Sequence, residues 1–232
     1  MGERCLICEG DLGTSFTWKD LFTFHREQIC TNCQEKLEPI QGEVCQKCSR
    51  PKELVSSSYW KDEYCYDCVR WESDPTWQGV LEKNTSLFVY NDFLKDVIAR
   101  WKFRGDYALA SVFQPLITKK LKSISFDVLI PIPLSVERLY ERGFNQAEAL
   151  VSGLTIRNVL KRTHSEKQSK KSRAERMDYA PIFHLVSKET IASKRILLID
   201  DIYTTGATLH YAAKLLRGHG AKSVSSLTLA RG

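Results

Sequence analysis

The sequence predicts an α/β chain, a mostly parallel sheet flanked by helices, preceded by a small module held together by cysteines. Three observations lead there. All eight cysteines lie between residues 5 and 68 of a 232-residue chain. The continuous apolar run Ile196–Ile199 suits a parallel strand buried on both faces. A helix-like stretch, Ala207–Gly218, and a second strand-like run, Val224–Leu229, follow at the spacing of a βαβ unit.

The cysteines form four Cys-x-x-Cys pairs, Cys5/Cys8, Cys30/Cys33, Cys45/Cys48 and Cys65/Cys68, separated by 21, 11 and 16 residues. Each pair turns two sulfurs into one small volume, half of a tetrahedral site. Sequential pairing gives two Cys₄ zinc sites at ribbon spacing, and crossed pairing stays open. The chain shows no secretory layout, so a disulfide framework is disfavoured. One or two structural Zn²⁺ ions are expected. A module this small needs a metal in place of a large core. Residues 1–83 hold 10 Lys/Arg and 15 Asp/Glu, a net of −5, and each filled Cys₄ site adds −2. That acidity reads as a structural or docking module rather than a DNA clamp. Residues 69–85 are expected to connect it to a second domain, 84–232.

In the second domain Leu87–Tyr90 reads as a strand. Asn91 or Asp92 caps a helix to about Phe103, with Leu94, Val97, Ile98 and Trp101 at helical spacing. A helix is expected over Tyr107–Lys122, a strand over Asp127–Ile132, a helix around Asn145–Leu154 and a possible strand over Ile156–Leu160. Arg195–Ile199, Ala207–Gly218 and Val224–Leu229 complete the pattern.

At the end of the buried strand stands Ile196-Leu197-Leu198-Ile199-Asp200-Asp201-Ile202-Tyr203-Thr204-Thr205-Gly206-Ala207-Thr208. Two acids sit where a sheet ends. A loop of hydroxyl residues and one glycine then enters a helix. Backbone N–H groups and the helix dipole there make a phosphate cradle. The carboxylates would repel phosphate, so they suit sugar hydroxyls or Mg²⁺. The segment resembles, residue for residue, the signature of type I phosphoribosyltransferases. The resemblance implies that fold, with Asp200 and Asp201 at the ribose hydroxyls and Thr204, Thr205, Gly206, Ala207 and Thr208 at the 5′-phosphate of phosphoribosyl diphosphate (PRPP) carried with Mg²⁺. It also puts Pro131-Ile132-Pro133 where the family has its diphosphate loop, although a plain strand-ending turn explains that tripeptide equally well. Arg138 and Arg142 can face diphosphate, whereas Asn145 can simply cap a helix.

Charge supports an anionic partner. Residues 84–232 carry a net of +11. Residues 161–176 supply +5 of it, from Lys161, Arg162, Lys167, Lys170, Lys171, Arg173 and Arg176 against two glutamates. This stretch lacks hydrophobic periodicity and is expected to be a mobile loop that closes over diphosphate or tracks a nucleic-acid backbone. Trp101, Phe103 and Tyr107, beside Lys102 and Arg104, could stack on bases, although core packing suits Trp101 better.

Taken in order, the cysteine pairs, Tyr90-Asn91, Trp101-Lys102-Phe103-Arg104-Gly105-Asp106, Pro131-Ile132-Pro133, Arg142-Gly143-Phe144-Asn145-Gln146 and the Asp200-Asp201 motif resemble the ComF family over essentially the whole chain, a layout shared with GntX-type proteins. The resemblance implies a role in handling incoming single-stranded DNA during natural transformation, beside a ComFA-like helicase/ATPase and the recombination mediator DprA. A catalytic reading makes the chain a phosphoribosyltransferase acting on an unknown nitrogenous acceptor, with Asp200 and Asp201 in the catalytic site. A third reading is a zinc-ribbon docking protein with a regulatory PRPP site. No run approaches the ~20 apolar residues that span a bilayer, so no membrane insertion is expected. The expected location is cytoplasmic, with any membrane association through partners.

Overall fold

The computed structural model describes residues 4–12, 28–162, 183–187 and 191–232. Of the basic stretch, Lys167, Lys170, Lys171, Arg173 and Arg176 lie outside the described residues.

The centre is a four-stranded, wholly parallel sheet of β3 (Asn84–Val89), β4 (Val128–Pro131), β7 (Arg195–Tyr203) and β8 (Ser223–Arg231), in the order β3-β8-β7-β4. β7 runs intermediate-buried at Arg195 and then buried from Ile196 to Ile199, as a strand covered on both faces must. Its side chains alternate. Leu197 and Ile199 face α3 (Asp92–Phe103), α4 (Leu109–Leu121) and α6 (Gln146–Leu150). Ile196 and Leu198 face α7 (Ala207–Gly218) and the antiparallel pair β5 (Leu160–Arg162) and β6 (Phe183–Leu185).

Asn91 caps α3, its side chain accepting from the Leu94 N–H at 2.9 Å. Trp101, fully buried, packs against Phe113 and Phe144, so it is a core residue and unavailable for base stacking. The expected helix over Asn145–Leu154 stops at Leu150, because the chain turns through Gly153 in the left-handed region. The strand expected over Ile156–Leu160 starts at Leu160, where pairing with β6 begins. α5 (Val136–Arg142) was not expected; it buries none of its residues and therefore has no apolar stripe to read.

The N-terminal module is built twice. In each half a knuckle opens the unit. Cys5 N–H donates to Gly10 O and Cys45 N–H to Arg50 O, both at 2.8 Å, and Glu9 and Ser49 take the same left-handed turn. A helix then starts at the second pair: α1 (Thr31–Glu35) with Cys30 as its N-cap, and α2 (Tyr66–Ser73) with Cys65. A short hairpin, β1 (Trp60–Lys61) with β2 (Tyr64–Cys65), precedes α2. Residues 69–73, expected as connector, continue α2 because Trp71 packs on α7: its ring stacks on His210 at 4.0 Å.

The two halves sit on opposite faces of the sheet. Cys5 and Cys33 join the core on the α3/α4 face, and Cys45, Cys48, Cys65 and Cys68 join the core on the α7 face. Residues 38–40 pass between them along β3, with Ile40 N–H donating to Leu87 O and Val89 N–H to Glu38 O, both at 2.9 Å. The link thus pairs with the exposed edge of the sheet.

Candidate functional site

The chemistry-bearing residues gather at the C-terminal end of β7, where an α/β sheet opens to ligands. Because side chains alternate along the strand, Asp201 shares a face with Leu197 and Ile199, and Asp200 turns to the other. Asp201 is buried and forms an ion pair with Lys102, which projects from the last turn of α3. Lys102, read from sequence beside stacking aromatics, is therefore the partner of Asp201. Burial holds the Asp200 carboxyl up at about 7 against an ordinary 3.8, and the negative charge of Asp201 adds to the rise.

The guanidiniums of Arg142 and Arg162 lie near the acids, and that of Arg138 lies near both arginines. Burial lowers the affinity of Arg142 for its proton, and Asp201 restores part of it. Arg142 Nη1 donates to Gln146 Oε1 at 2.9 Å and its guanidinium lies 5.7 Å over the Phe103 ring. Arg162 is likewise lowered by burial, with Arg138 and Arg142 close enough to push further and Asp200 close enough to oppose them. Arg162 stands in β5, its guanidinium 5.7 Å over Phe183, so the basic stretch begins as a paired strand and not as a loop. Buried Leu160 and Phe183 anchor that pair.

Beyond Asp201 the chain leaves the sheet at Tyr203, and Gly206 (φ 79°) caps α7. A side chain at Gly206 would meet the Tyr203 ring, whose Oη lies 2.1 Å from the Cβ position. The glycine is thus required both by the turn and by the ring beneath it. Thr204 and Thr205 are exposed and Ala207 and Thr208 half-buried, so all four line the accessible side of the turn. Among the described residues, none accepts a hydrogen bond from the N–H of Thr204, Thr205 or Gly206.

Pro131 and Ile132 do not contribute in the way expected. Pro131 and Pro133 have no N–H, and the Ile132 N–H donates to Ile199 O at 2.9 Å. No cis peptide bond occurs among the described residues. This turn therefore offers an anion no N–H, and Asn145 holds it by donating to Ile132 O at 3.0 Å while its Oδ1 caps α6. A groove of about 1500 Å³ between α2 and α7 touches Thr205 but neither acid.

The cysteines fall into two tetrads, Cys5/Cys8/Cys30/Cys33 and Cys45/Cys48/Cys65/Cys68, each with its sulfurs within 4.8 Å of one another. Tetrahedral zinc with Zn–S of about 2.3 Å needs sulfurs about 3.8 Å apart, and Cys8–Cys30 at 3.6 Å and Cys48–Cys65 at 3.5 Å suit it. Main-chain N–H groups of Cys30 and Cys65 donate to Cys5 Sγ and Cys45 Sγ at 3.3 Å, which favours thiolate. In the second tetrad, hydrogen bonding among the cysteines drives the Cys45 thiol far down and the Cys48 thiol far up, the behaviour of a cluster that needs a cation to ionise fully. Both donor sets fit structural zinc, and the pairing is sequential.

Sequence reasoning missed Arg231, Trp71 and Tyr203, which grip the phosphate-loop candidate from behind. Arg231 carried one signal, a lone arginine closing an otherwise apolar and hydroxyl strand.

This geometry defines a phosphoribosyltransferase-fold protein carrying a double zinc ribbon. The phosphoribosyl transferase domain family matches residues 117–232, and the double zinc ribbon domain family matches residues 1–69. The chain is 39% identical to the competence protein ComFC of Bacillus subtilis, covering 98% of this chain and 94% of that one. It is 36% identical to ComFC of Streptococcus pneumoniae (98% and 100%) and 28% identical to competence protein F of Haemophilus influenzae (98% and 96%). The chain belongs to the ComF family of competence proteins. A solved purine phosphoribosyltransferase from Pyrococcus horikoshii Ot3 overlaps 56% of this chain and 81% of its own, at 18% identity and a TM-score of 0.31, too slight a likeness to bear on function. Among the described residues no helix is long and apolar enough to cross a membrane.

Proposed function

We propose that this chain is a ComF-type competence protein that supports the uptake of single-stranded DNA in natural transformation, and that its C-terminal part, residues 84–232, binds PRPP with Mg²⁺. Residues 1–83 serve as the zinc-bearing part. The observation that carries the ligand is the end of β7. Two carboxylates on opposite faces of one strand stand directly before three outward N–H groups and a helix N-terminus.

In this reading Asp200 and Asp201 hold the ribose hydroxyls or the Mg²⁺, with Lys102 releasing Asp201 as ligand arrives. The N–H groups of Thr204, Thr205 and Gly206, with the threonine hydroxyls, take the 5′-phosphate. Arg138, Arg142 and Arg162 supply planar donors for the diphosphate. Mg²⁺ would neutralise the diphosphate charge there. The DNA role rests on the competence relatives and on the basic C-terminal part. It places the chain beside a helicase-like ATPase of the ComFA kind and a mediator such as DprA.

The test is calorimetric titration of PRPP with Mg²⁺ into zinc-loaded protein, with Asp200→Asn/Asp201→Asn alongside. Saturable binding lost in the double variant supports the site, and absence of binding to the wild type overturns it. Anisotropy with labelled single-stranded DNA over a salt series tests the second half, and a flat response to salt argues against phosphate contacts.

A further inference from the structure

Arg231 closes β8 and is 1% exposed. A buried guanidinium needs acceptors for its donors. It finds them in two places at once. Nε and Nη2 each lie 3.3 Å from Cys48 Sγ in the second tetrad. Nη1 donates to Tyr203 O at 3.1 Å and to Thr204 O at 2.8 Å, and the plane lies 4.8 Å over the Tyr203 ring. A second link comes from α2, the helix that carries Cys68. One turn further on, Trp71 Nε1 donates to Thr205 O at 2.9 Å.

Three consecutive carbonyls, those of residues 203, 204 and 205, are thus held from the side of the second cysteine tetrad. Peptide units are planar and trans, so each carbonyl points opposite to the N–H of the next residue. Pinning these oxygens aims the N–H groups of Thr204, Thr205 and Gly206 at the open side, where no protein acceptor meets them among the described residues. Among the described residues, no side chain joins the first tetrad to these carbonyls. That tetrad lies on the other face of the sheet, where Arg100 holds its knuckle through the carbonyls of Leu6, at 2.9 Å, and Ile7.

We propose that Arg231 and Trp71 are positioning residues through which the Cys45/Cys48/Cys65/Cys68 metal site sets the aim of the phosphate loop, so that metal occupancy and phosphate-ester binding strengthen each other. This rests on the reading of that loop as the phosphate cradle. A metal-bound Cys48 is a thiolate, and its charge-assisted bonds fix the guanidinium. Without metal nothing fixes the Cys48 sulfur in place, so the guanidinium that bridges it to the carbonyls of Tyr203 and Thr204 loses a rigid partner and the carbonyls lose their clamp. Coupling between two binding sites is reciprocal.

The experiment follows zinc transfer from the intact, zinc-loaded chain to a chromophoric chelator, with and without PRPP and Mg²⁺, alongside calorimetry on Trp71→Phe and Arg231→Lys. PRPP should slow release of one of the two zinc ions by about fivefold or more and leave the other unchanged. Both variants should bind PRPP more weakly and show a smaller slowing. Trp71→Phe removes the N–H with the pyrrole part of the indole, leaves an aromatic ring beside His210 and touches no cysteine, so it decides the matter if Arg231→Lys fails to retain zinc. PRPP binding with both release phases unchanged overturns the inference alone, as does wild-type affinity in zinc-replete Trp71→Phe. Failure of the wild type to bind PRPP removes the reading of the loop, and the inference falls with it.

Discussion

Gly206→Ala tests how firmly the loop is held. The residue sits at φ 79°, where an L side chain costs about 1–2 kcal/mol. The new Cβ would stand 2.1, 2.3 and 2.9 Å from Oη, Cζ and Cε1 of Tyr203. That ring is not a free end: it is 2% exposed and lies beneath the Arg231 guanidinium at 4.8 Å. Forcing an extra methyl into such a contact costs about 1–3 kcal/mol more, so the total is about 2–5 kcal/mol. For a chain of this size the melting temperature should fall by about 4–20 °C. Gly105→Ala is the matched control, since Gly105 has φ 66° but nothing within 4 Å of its Cβ position. It should cost only the backbone part, about 1–2 kcal/mol. The assay is thermal melting of the zinc-loaded proteins, with PRPP titration at 25 °C. Equal melting shifts in the two variants would show that the Tyr203 ring moves aside freely, and would refute the view that the loop is clamped from behind.

Other outcomes follow from the same site. Asp200 holds its proton up to about 7 in the fold against 3.8 ordinarily, so its contribution to stability is complete below about pH 4 and is lost as pH rises through about 7. Wild-type stability should therefore fall relative to Asp200→Asn across that window, while PRPP–Mg²⁺ affinity of the wild type rises toward pH 8; parallel stability profiles would refute the assignment. Lys102→Met strands the buried Asp201 carboxylate and should cost about 3 kcal/mol in denaturant unfolding, and adding Asp201→Asn should recover most of it. Metal analysis should find two zinc ions per chain. Chelation should lower the melting temperature of the whole protein, not of a separate N-terminal unit, because the second tetrad is part of the sheet core. Asn84→Ala should destabilise by about 1–3 kcal/mol, since its buried amide donates to Cys48 O at 3.3 Å and to Ser86 Oγ at 2.8 Å and accepts from Ser226 Oγ at 2.8 Å.

What was legible in the sequence is what local physics determines. The helix Ala207–Gly218 came out as read, and of the two candidate caps for the helix to Phe103 it is Asn91 that serves, because a glycine turn and an Asn side chain act within one turn of where they stand. Spacing suggested sequential cysteine pairing but left crossed pairing open, and the geometry of the two tetrads decides it. Long-range relations were not legible. Nothing in residues 156–162 says that Leu160, and not Ile156, opens the strand; the partner Leu185 decides it. The Pro131-Ile132-Pro133 turn stood open between an anion loop and a strand end, and the sheet takes the one N–H it has. Lys102 and Arg231 were readable as charges, but their partners, Asp201 and Cys48, lie about 100 and 183 positions away.

The duplicated N-terminal module is better understood as part of the sheet than as an appendage. A sheet of four parallel strands has two faces and two edges to protect, and helices alone do not finish this one. One cysteine tetrad closes the α3/α4 face, the other closes the α7 face, and the link between them pairs with β3. A metal-bearing unit placed this way gains core it could not build by itself. In return it stands directly behind the turn proposed as the phosphate cradle, where each peptide it holds on one side points a donor to the other. The residues that a search for catalytic groups would pass over, an arginine at a strand end and a tryptophan on a ribbon helix, are the ones that link the second cysteine tetrad to the turn after β7.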